Sequence, residues 1–148
     1  MYSLQELEHL LRNAEAKFEF IHQNKPIYSI KDAEEYYDIN KSAPTFILQS
    51  DKGLIACIAS GNKGKLNLGA IKEEFGFLKL KMADREKVKK QLGYDVGSIP
   101  LIGHDLPCLF DNLLLKCDYI YGGTGDELVT LKIDPLDVRR LNQIIGTI

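Results

Sequence analysis

Two apolar runs, TFIL at 45–48 and LIACIA at 54–59, face each other across the polar pentapeptide QSDKG. A strand with one wet face alternates apolar and polar side chains, and these runs do not. Both arms therefore belong centrally in a sheet covered on both faces. Gly53, at the end of the turn, is free to take a positive φ, which makes the pair a β-hairpin. A doubly covered hairpin is a strong constraint, because other elements must supply two layers around it. A chain of 148 residues can do this as one domain, burying roughly 68–70% of the surface its unfolded form exposes. With 45% hydrophobic and 27% charged residues, it has the balance of a globular protein and not of a disordered or collagen-like one.

The rest of the chain supplies the cover. Ser3 and Glu6 have capping-box spacing, and Leu4, Leu7, Leu11 and Ala14 share one face, which predicts a helix over 4–15. Phe18, Phe20 and His22 alternate with Glu19 and Ile21 as a short strand ending at His22, before an Asn24-Lys25-Pro26 turn. Ser29 can cap a second short helix through Tyr37. Asn67 caps a helix closed by Gly76, Leu78 to Met82 alternates with lysines as a strand, and Asp84 opens a helix stopped by Gly93. Strands are expected at 108–110, 118–121, 128–133 and 144–148, with Asp134 and Pro135 opening a helix between the last two. There is no internal repeat, no GxGxxG, and no regular strand-helix alternation of the Rossmann kind. The expectation is one α/β (α+β) domain over residues 1–148.

Charge is uneven along the chain. Residues 61–90 carry a net +5, between an N-terminal segment at -3 and a C-terminal one at -4. This basic island reads either as a solvated helix and strand face or as a phosphate-contacting patch for a structured RNA, and composition does not choose between them. The overall charge of -2 argues against indiscriminate coating of nucleic acid, and DNA is not an expected partner. Cys57, Cys108 and Cys117 form no CxxC pair and lie mostly in apolar runs, as structural thiols in a reducing compartment do. The N-terminus has no basic-then-apolar leader, and no run of about 18 apolar residues occurs. A cytoplasmic protein without a membrane partner is expected, as a monomer or homodimer.

Three polar, glycine-bearing segments interrupt the periodic elements: SGNKGK at 60–65, GYDVGSIPLIGHDLP at 93–107 and YGGTGD at 121–126. Each follows or joins apolar strands, so all three can meet at one sheet edge. Glycine lets backbone N–H groups approach a ligand or a developing anion closely. One such donor is commonly worth about 3–4 kcal/mol of transition-state stabilisation. His104, Asp105 and Asp126 offer acid-base groups, yet there is no G-x-S-x-G elbow and no cysteine beside a glycine turn, so a nucleophilic hydrolase is unsupported. His104 reads equally as a functional histidine and as one satisfied by backbone, while His9 reads as solvated. Three histidines, and aspartates without ligand spacing, give no basis for a metal site or a cofactor.

In order and spacing, APTFILQSDKGLIACIASGNKGKLNL, MADREKVKKQLGYDVGSIPLIGHDLP, YGGTGD and LKIDPLDVRRLN resemble the YbaK/EbsC family, freestanding relatives of the editing insertion domain of prolyl-tRNA synthetase. The likeness runs from about Phe18 to the C-terminus. It implies a compact domain around a central mixed, barrel-like sheet, and hydrolysis in trans of the ester of a mischarged aminoacyl-tRNA carrying a small amino acid. It also implies a mechanism without covalent nucleophile or metal, in which amides of a glycine-proline loop position the carbonyl for attack by water. The expected partner is the mischarged tRNA, with an aminoacyl-tRNA synthetase as a second candidate.

Carried onto this chain, the loop falls on Gly97, Ser98, Ile99, Pro100 and Leu101, so the family's final proline is Leu101 and Pro100 stands one place earlier. His104 and Asp126 complete the expected catalytic set. Substrate-binding positions are expected at His22, Lys41, Thr45, Ser60, Asn62 and Gly123. Where many members place a substrate-holding lysine, this chain has Pro44, which has no side-chain donor. Either Lys41 reaches in from the preceding loop or the contacts differ. A non-catalytic module that binds aminoacyl-tRNA or a synthetase is the alternative reading, and a hydrolase of another small ester is a third.

Overall fold

The computed structural model describes residues 1–148. Its hairpin is tighter than the sequence suggests: β2 (Thr45–Ser50) and β3 (Gly53–Ile58) pair in register down to Ser50 opposite Gly53, leaving a two-residue turn. Gly53 has a φ of 119°, which a side chain would resist. The hairpin is the centre of a five-stranded sheet ordered β4-β2-β3-β5-β8, with β4 at Leu80–Met82, β5 at Pro107–Phe110 and β8 at Gln143–Thr147. β2 is antiparallel to β3 and β4, whereas β5 lies parallel to both β3 and β8, so the sheet is mixed.

Side-chain alternation across this sheet separates two apolar layers, as a doubly covered hairpin requires. Leu54, Ala56 and Ile58 of β3, with Cys108 and Phe110 of β5, enter the main core. Ile55 and Cys57, with Leu48 and Leu109, face a smaller cluster closed by Ile71 and Phe77. The main core is covered by α1 (Leu4–Asn13), where Ser3 and Glu6 form the capping box and Leu7 and Leu11 are buried. The second layer is α3 (Leu68–Phe75), capped by Asn67 and ended by Gly76 at φ 71°.

A second, three-stranded antiparallel sheet is ordered β1-β7-β6, with β1 at Phe18–His22, β6 at Ile120–Gly123 and β7 at Val129–Ile133. The remaining helices are α2 (Ile30–Ala33), α4 (Arg85–Leu92) and α5 (Pro135–Arg140). No helix is long and apolar enough to cross a membrane.

The expected mixed α/β domain is present, but its sheet is not closed into a barrel. No ladder joins β6 to the larger sheet; its backbone is linked to that side of the molecule by isolated parallel bridges, Ser42 with Tyr121 and Pro100 with Gly123. Pro44 and Pro100 stand beside or at these bridges, whose donors are the preceding or following residues, the Ala43 and Leu101 amides. Smaller differences lie in the bounds and number of the short elements. α2 ends at Ala33, before Tyr37; β6 begins two residues late and takes Gly122 and Gly123 into the strand; short 3-10 turns at Ile39–Lys41 and Asn112–Lys116 have no counterpart in the expected elements.

Candidate functional site

The seam between the larger sheet and β6 holds a cleft of about 670 Å³. Its walls come from the start of β2, the end of β6, the segment 27–37, the residues joining β4 to α4, and the loop at 96–99. Of the residues expected at the site, Gly97, Ser98, Ile99, Thr45, Gly123 and Asp126 line this cleft.

The 96–101 loop is held at both ends. The Leu101 amide donates to the Gly123 carbonyl at 3.0 Å, and Ser98 turns back on Asp95 through its amide (2.9 Å) and its hydroxyl (3.3 Å). The Ser98 amide is thus committed inside the loop. Those of Gly97 and Ile99 donate no hydrogen bond within the chain. Glycine is required at two contacts: a Cβ at Gly97 would lie 2.6 Å from the Tyr28 carbonyl oxygen, and one at Gly123 would collide with the Ile99 carbonyl. Leu101 is fully buried, and its side chain fills the space beside Gly122.

Polar groups at the cleft have unequal freedom. Thr45 is 8% exposed and its hydroxyl has no partner, an uncommon condition for a buried side chain. Asp126 accepts from the Leu128 amide at 2.9 Å, and buried Thr124 donates to the Val129 carbonyl at 2.9 Å, so the 124–129 turn is fixed by its own side chains. Lys31 and Arg85 bring positive charge to the cleft wall. Arg85 is the first residue of α4, where a cation opposes the helix dipole.

Five expected residues lie outside the cleft lining. His104 is buried: its Nδ1 accepts from the Leu106 amide at 3.1 Å and its Nε2 has no partner within hydrogen-bond range. Desolvation lowers its pKa to about 4, against smaller opposing influences of Asp105 and the nearby Asn142 amide. Lys41 pairs with Asp118 at 3.1 Å, which raises its pKa, and lies 4.0 Å over the Tyr119 ring. Ser60 is tied by its amide to the buried carboxylate of Asp111 at 2.9 Å, and its hydroxyl accepts from the Asn62 amide at 3.3 Å; Asn62 is exposed. His22 is exposed at the end of β1, and its neighbour Gln23 lines the cleft instead.

Sequence reasoning passed over Tyr28, Tyr37 and Tyr121 and placed Arg85 only within the basic island at 61–90; all four are in the cleft wall. For Arg85 a signal existed, since a helix that opens on a cation carries a local cost without an evident structural return. The tyrosines had none, because their faces are set by contacts across the chain: Tyr37 stacks on Tyr121 with ring centroids 4.3 Å apart.

Comparison with known proteins agrees with this architecture. The crystal structure of hypothetical protein APE2540 superposes with a TM-score of 0.84 at 22% identity, over 95% of this chain and 96% of that one. A protein proposed to be a trans-editing enzyme for prolyl tRNA synthetase superposes at 0.80, with 20% identity, over 99% and 98%. A signal transduction protein proposed from Marinobacter aquaeolei VT8 matches at 0.66 and 16% identity, with 99% of this chain covering 30% of that longer one. These likenesses establish the fold. The family model of the aminoacyl-tRNA editing domain matches residues 24–141, which include every cleft-lining residue except Gln23, and the chain belongs to that family.

Proposed function

We propose that this protein is a trans-acting deacylase that hydrolyses the ester of a mischarged aminoacyl-tRNA bearing a small amino acid. The observation that carries the reading is the pair of uncommitted amides, Gly97 and Ile99, on a loop pinned at both ends beside the cleft. Amides fixed before the substrate arrives need no reorganisation when an oxyanion forms.

In this reading the ester carbonyl faces the Gly97 and Ile99 amides. Water adds to the carbonyl carbon and gives up a proton to bulk water as the negative charge collects on the carbonyl oxygen; collapse of the tetrahedral intermediate expels the terminal ribose oxygen, which takes a proton back from bulk water. Free amino acid and tRNA result. Asp126 and Thr45 contact the aminoacyl group. His104 takes no proton in the step, because its ring is buried outside the cleft. Basic side chains of β4 and α4, with Arg85 at the cleft wall, meet the phosphates of the acceptor stem.

Incubation with tRNAs charged with alanine, cysteine, serine and a wider set of amino acids tests this by loss of the labelled ester. Turnover of at least one is expected, and turnover of none refutes the proposal. Pro44 favours a second reading, a module that binds aminoacyl-tRNA or a synthetase without hydrolysis, since no side-chain ammonium stands on β2. That reading expects binding on the same panel with every ester intact.

A further inference from the structure

Outside the reacting end of the cleft lies a second feature that the deacylase reading does not use. Tyr37 and Tyr121 line the cleft and stack at 4.3 Å with 27° between their planes. Tyr119 meets Tyr121 edge-on at 5.4 Å and carries the aromatic wall outward, into a shallow depression that Lys132 also lines. The Nζ of Lys132 is 4.1 Å from the Tyr119 ring centroid and has no carboxylate partner within 4.0 Å. Lys41, at 4.0 Å from the same ring, is neutralised by Asp118.

The wall is fixed by backbone. The Ala43 amide donates to the Tyr121 carbonyl at 2.7 Å, and Ser42 bridges to Tyr121. All three residues are half-buried, so the rings keep open surface, Tyr37 and Tyr121 toward the cleft and Tyr119 toward the adjoining depression. Aromatic rings in a row with a free ammonium beside them are what an unpaired nucleic-acid strand needs: a π-face for the base and a cation for its phosphate. A purely structural role, packing the 34–41 segment onto β6, would be served as well by aliphatic side chains.

We propose that this tyrosine wall is the stacking site for the unpaired terminal nucleotides of the RNA, with a base on the Tyr37–Tyr121 pair and Lys132 on a phosphate. The proposal rests on the reading of the substrate as tRNA but not on hydrolysis. The aminoacyl group would then enter the cleft at the end of a strand already held in line.

The test uses an uncharged hairpin RNA with a single-stranded ACCA end and 2-aminopurine in place of the terminal adenine, titrated with the full chain. Stacking on tyrosine quenches 2-aminopurine. The wild type and Tyr37→Phe should both quench it; Tyr37→Leu, confirmed as folded by circular dichroism, should lose the quench and bind about tenfold more weakly. Lys132→Gln should keep the quench and lower the slope of log affinity against log salt by about one. If Tyr37→Leu does not fold, the wild-type quench and the Lys132→Gln slope decide. An unquenched wild-type titration overturns the proposal, as does a folded Tyr37→Leu that quenches normally. Hydrolysis of charged tRNA without quench would sink the stacking wall alone, whereas quench without hydrolysis would sink the enzyme reading alone.

Discussion

Replacing Gly97 by alanine adds one methyl group at the point where the deacylase reading is most exposed. The new Cβ would lie 2.6 Å from the Tyr28 carbonyl oxygen, 2.9 Å from its Cα and 3.1 Å from its carbonyl carbon. All three are backbone atoms, which cannot swing aside as a flexible side-chain tip would. Since non-bonded carbon atoms settle about 3.5–4.0 Å apart, the loop and the 28–29 segment must separate by roughly 1 Å. Gly97 does not have a positive φ, so alanine accepts its backbone angles and the effect is one of displacement. Overpacking of this kind destabilises by about 1–3 kcal/mol, partly offset by about 0.4–1 kcal/mol from the stiffer unfolded chain. The fold should therefore survive. A displacement of about 1 Å costs a positioned reaction about 100-fold, and loss of one oxyanion donor costs about 100- to 1,000-fold in kcat. Single-turnover deacylation should thus fall by about 100-fold or more, while thermal denaturation shows a folded protein. Gly53→Ala is the control: it meets a φ of 119° at a turn remote from the cleft, and should lower stability with kcat intact. Wild-type kcat in a folded Gly97→Ala protein would show that this loop does not touch the reacting carbonyl.

Three further outcomes follow from the same geometry. His104 has its folded pKa depressed from 6.5 to about 4, so between those values the unfolded chain takes up a proton that the folded one refuses, and stability is lost as pH falls through that window. The full loss is about 3 kcal/mol, and urea titrations at pH 7 and pH 4 should show the wild type losing more stability than His104→Gln; equal losses would contradict it. Lys41→Ala should leave deacylation unchanged, because its ammonium is held by Asp118 away from the cleft; a large fall in kcat would mean that Lys41 leaves Asp118 to reach the substrate. Asp111 is fully buried and accepts from the Ser60 and Leu113 amides at 2.9 and 3.0 Å, so Asp111→Ala orphans two donors and should cost about 3 kcal/mol in urea denaturation. A change below about 1 kcal/mol would show that water replaces the carboxylate.

What the sequence disclosed and what it withheld divide along the range of the interactions. The hairpin, the capping box at Ser3 and the helix stops at Gly76 and Gly93 rest on local chemistry, and they stand where the pattern puts them. The glycine loops were visible as clusters of special backbone, and two of the three meet at the cleft. Distant contacts were not legible. Lys41 is claimed by Asp118, 77 residues on, and Gly123 of β6 is bridged by Pro100 from a separate loop. His104 adjoins the right motif, yet the ring is enclosed: composition can place a histidine near a loop but not say which way it faces. The 60–65 loop follows β3 as expected, but Asp111 draws it away from the cleft, with Lys63 3.6 Å from that carboxylate.

The two departures from the family's pattern, Pro44 and Leu101, gain a common account from the seam. The Leu101 N–H is the donor that fastens the 96–101 loop to the Gly123 carbonyl. A proline at 101 has no such hydrogen and would release the loop from β6. At position 100 the same residue removes an N–H that the bridge to Gly123 does not use, because the donor comes from the residue after it. Pro44 is tolerated for a parallel reason. It precedes the first residue of β2, and its carbonyl still accepts from the Ala59 amide at 3.2 Å. Each proline therefore leaves the neighbouring bridge to β6 intact, because its missing N–H lies on the side away from that strand. Continuous pairing along that seam would bring strand against strand at about 4.8 Å, too close to leave a cavity between them. The substitutions that first look like losses are thus compatible with an open cleft and with the proposed use of backbone donors at Gly97 and Ile99, whose amides donate no hydrogen bond within the chain.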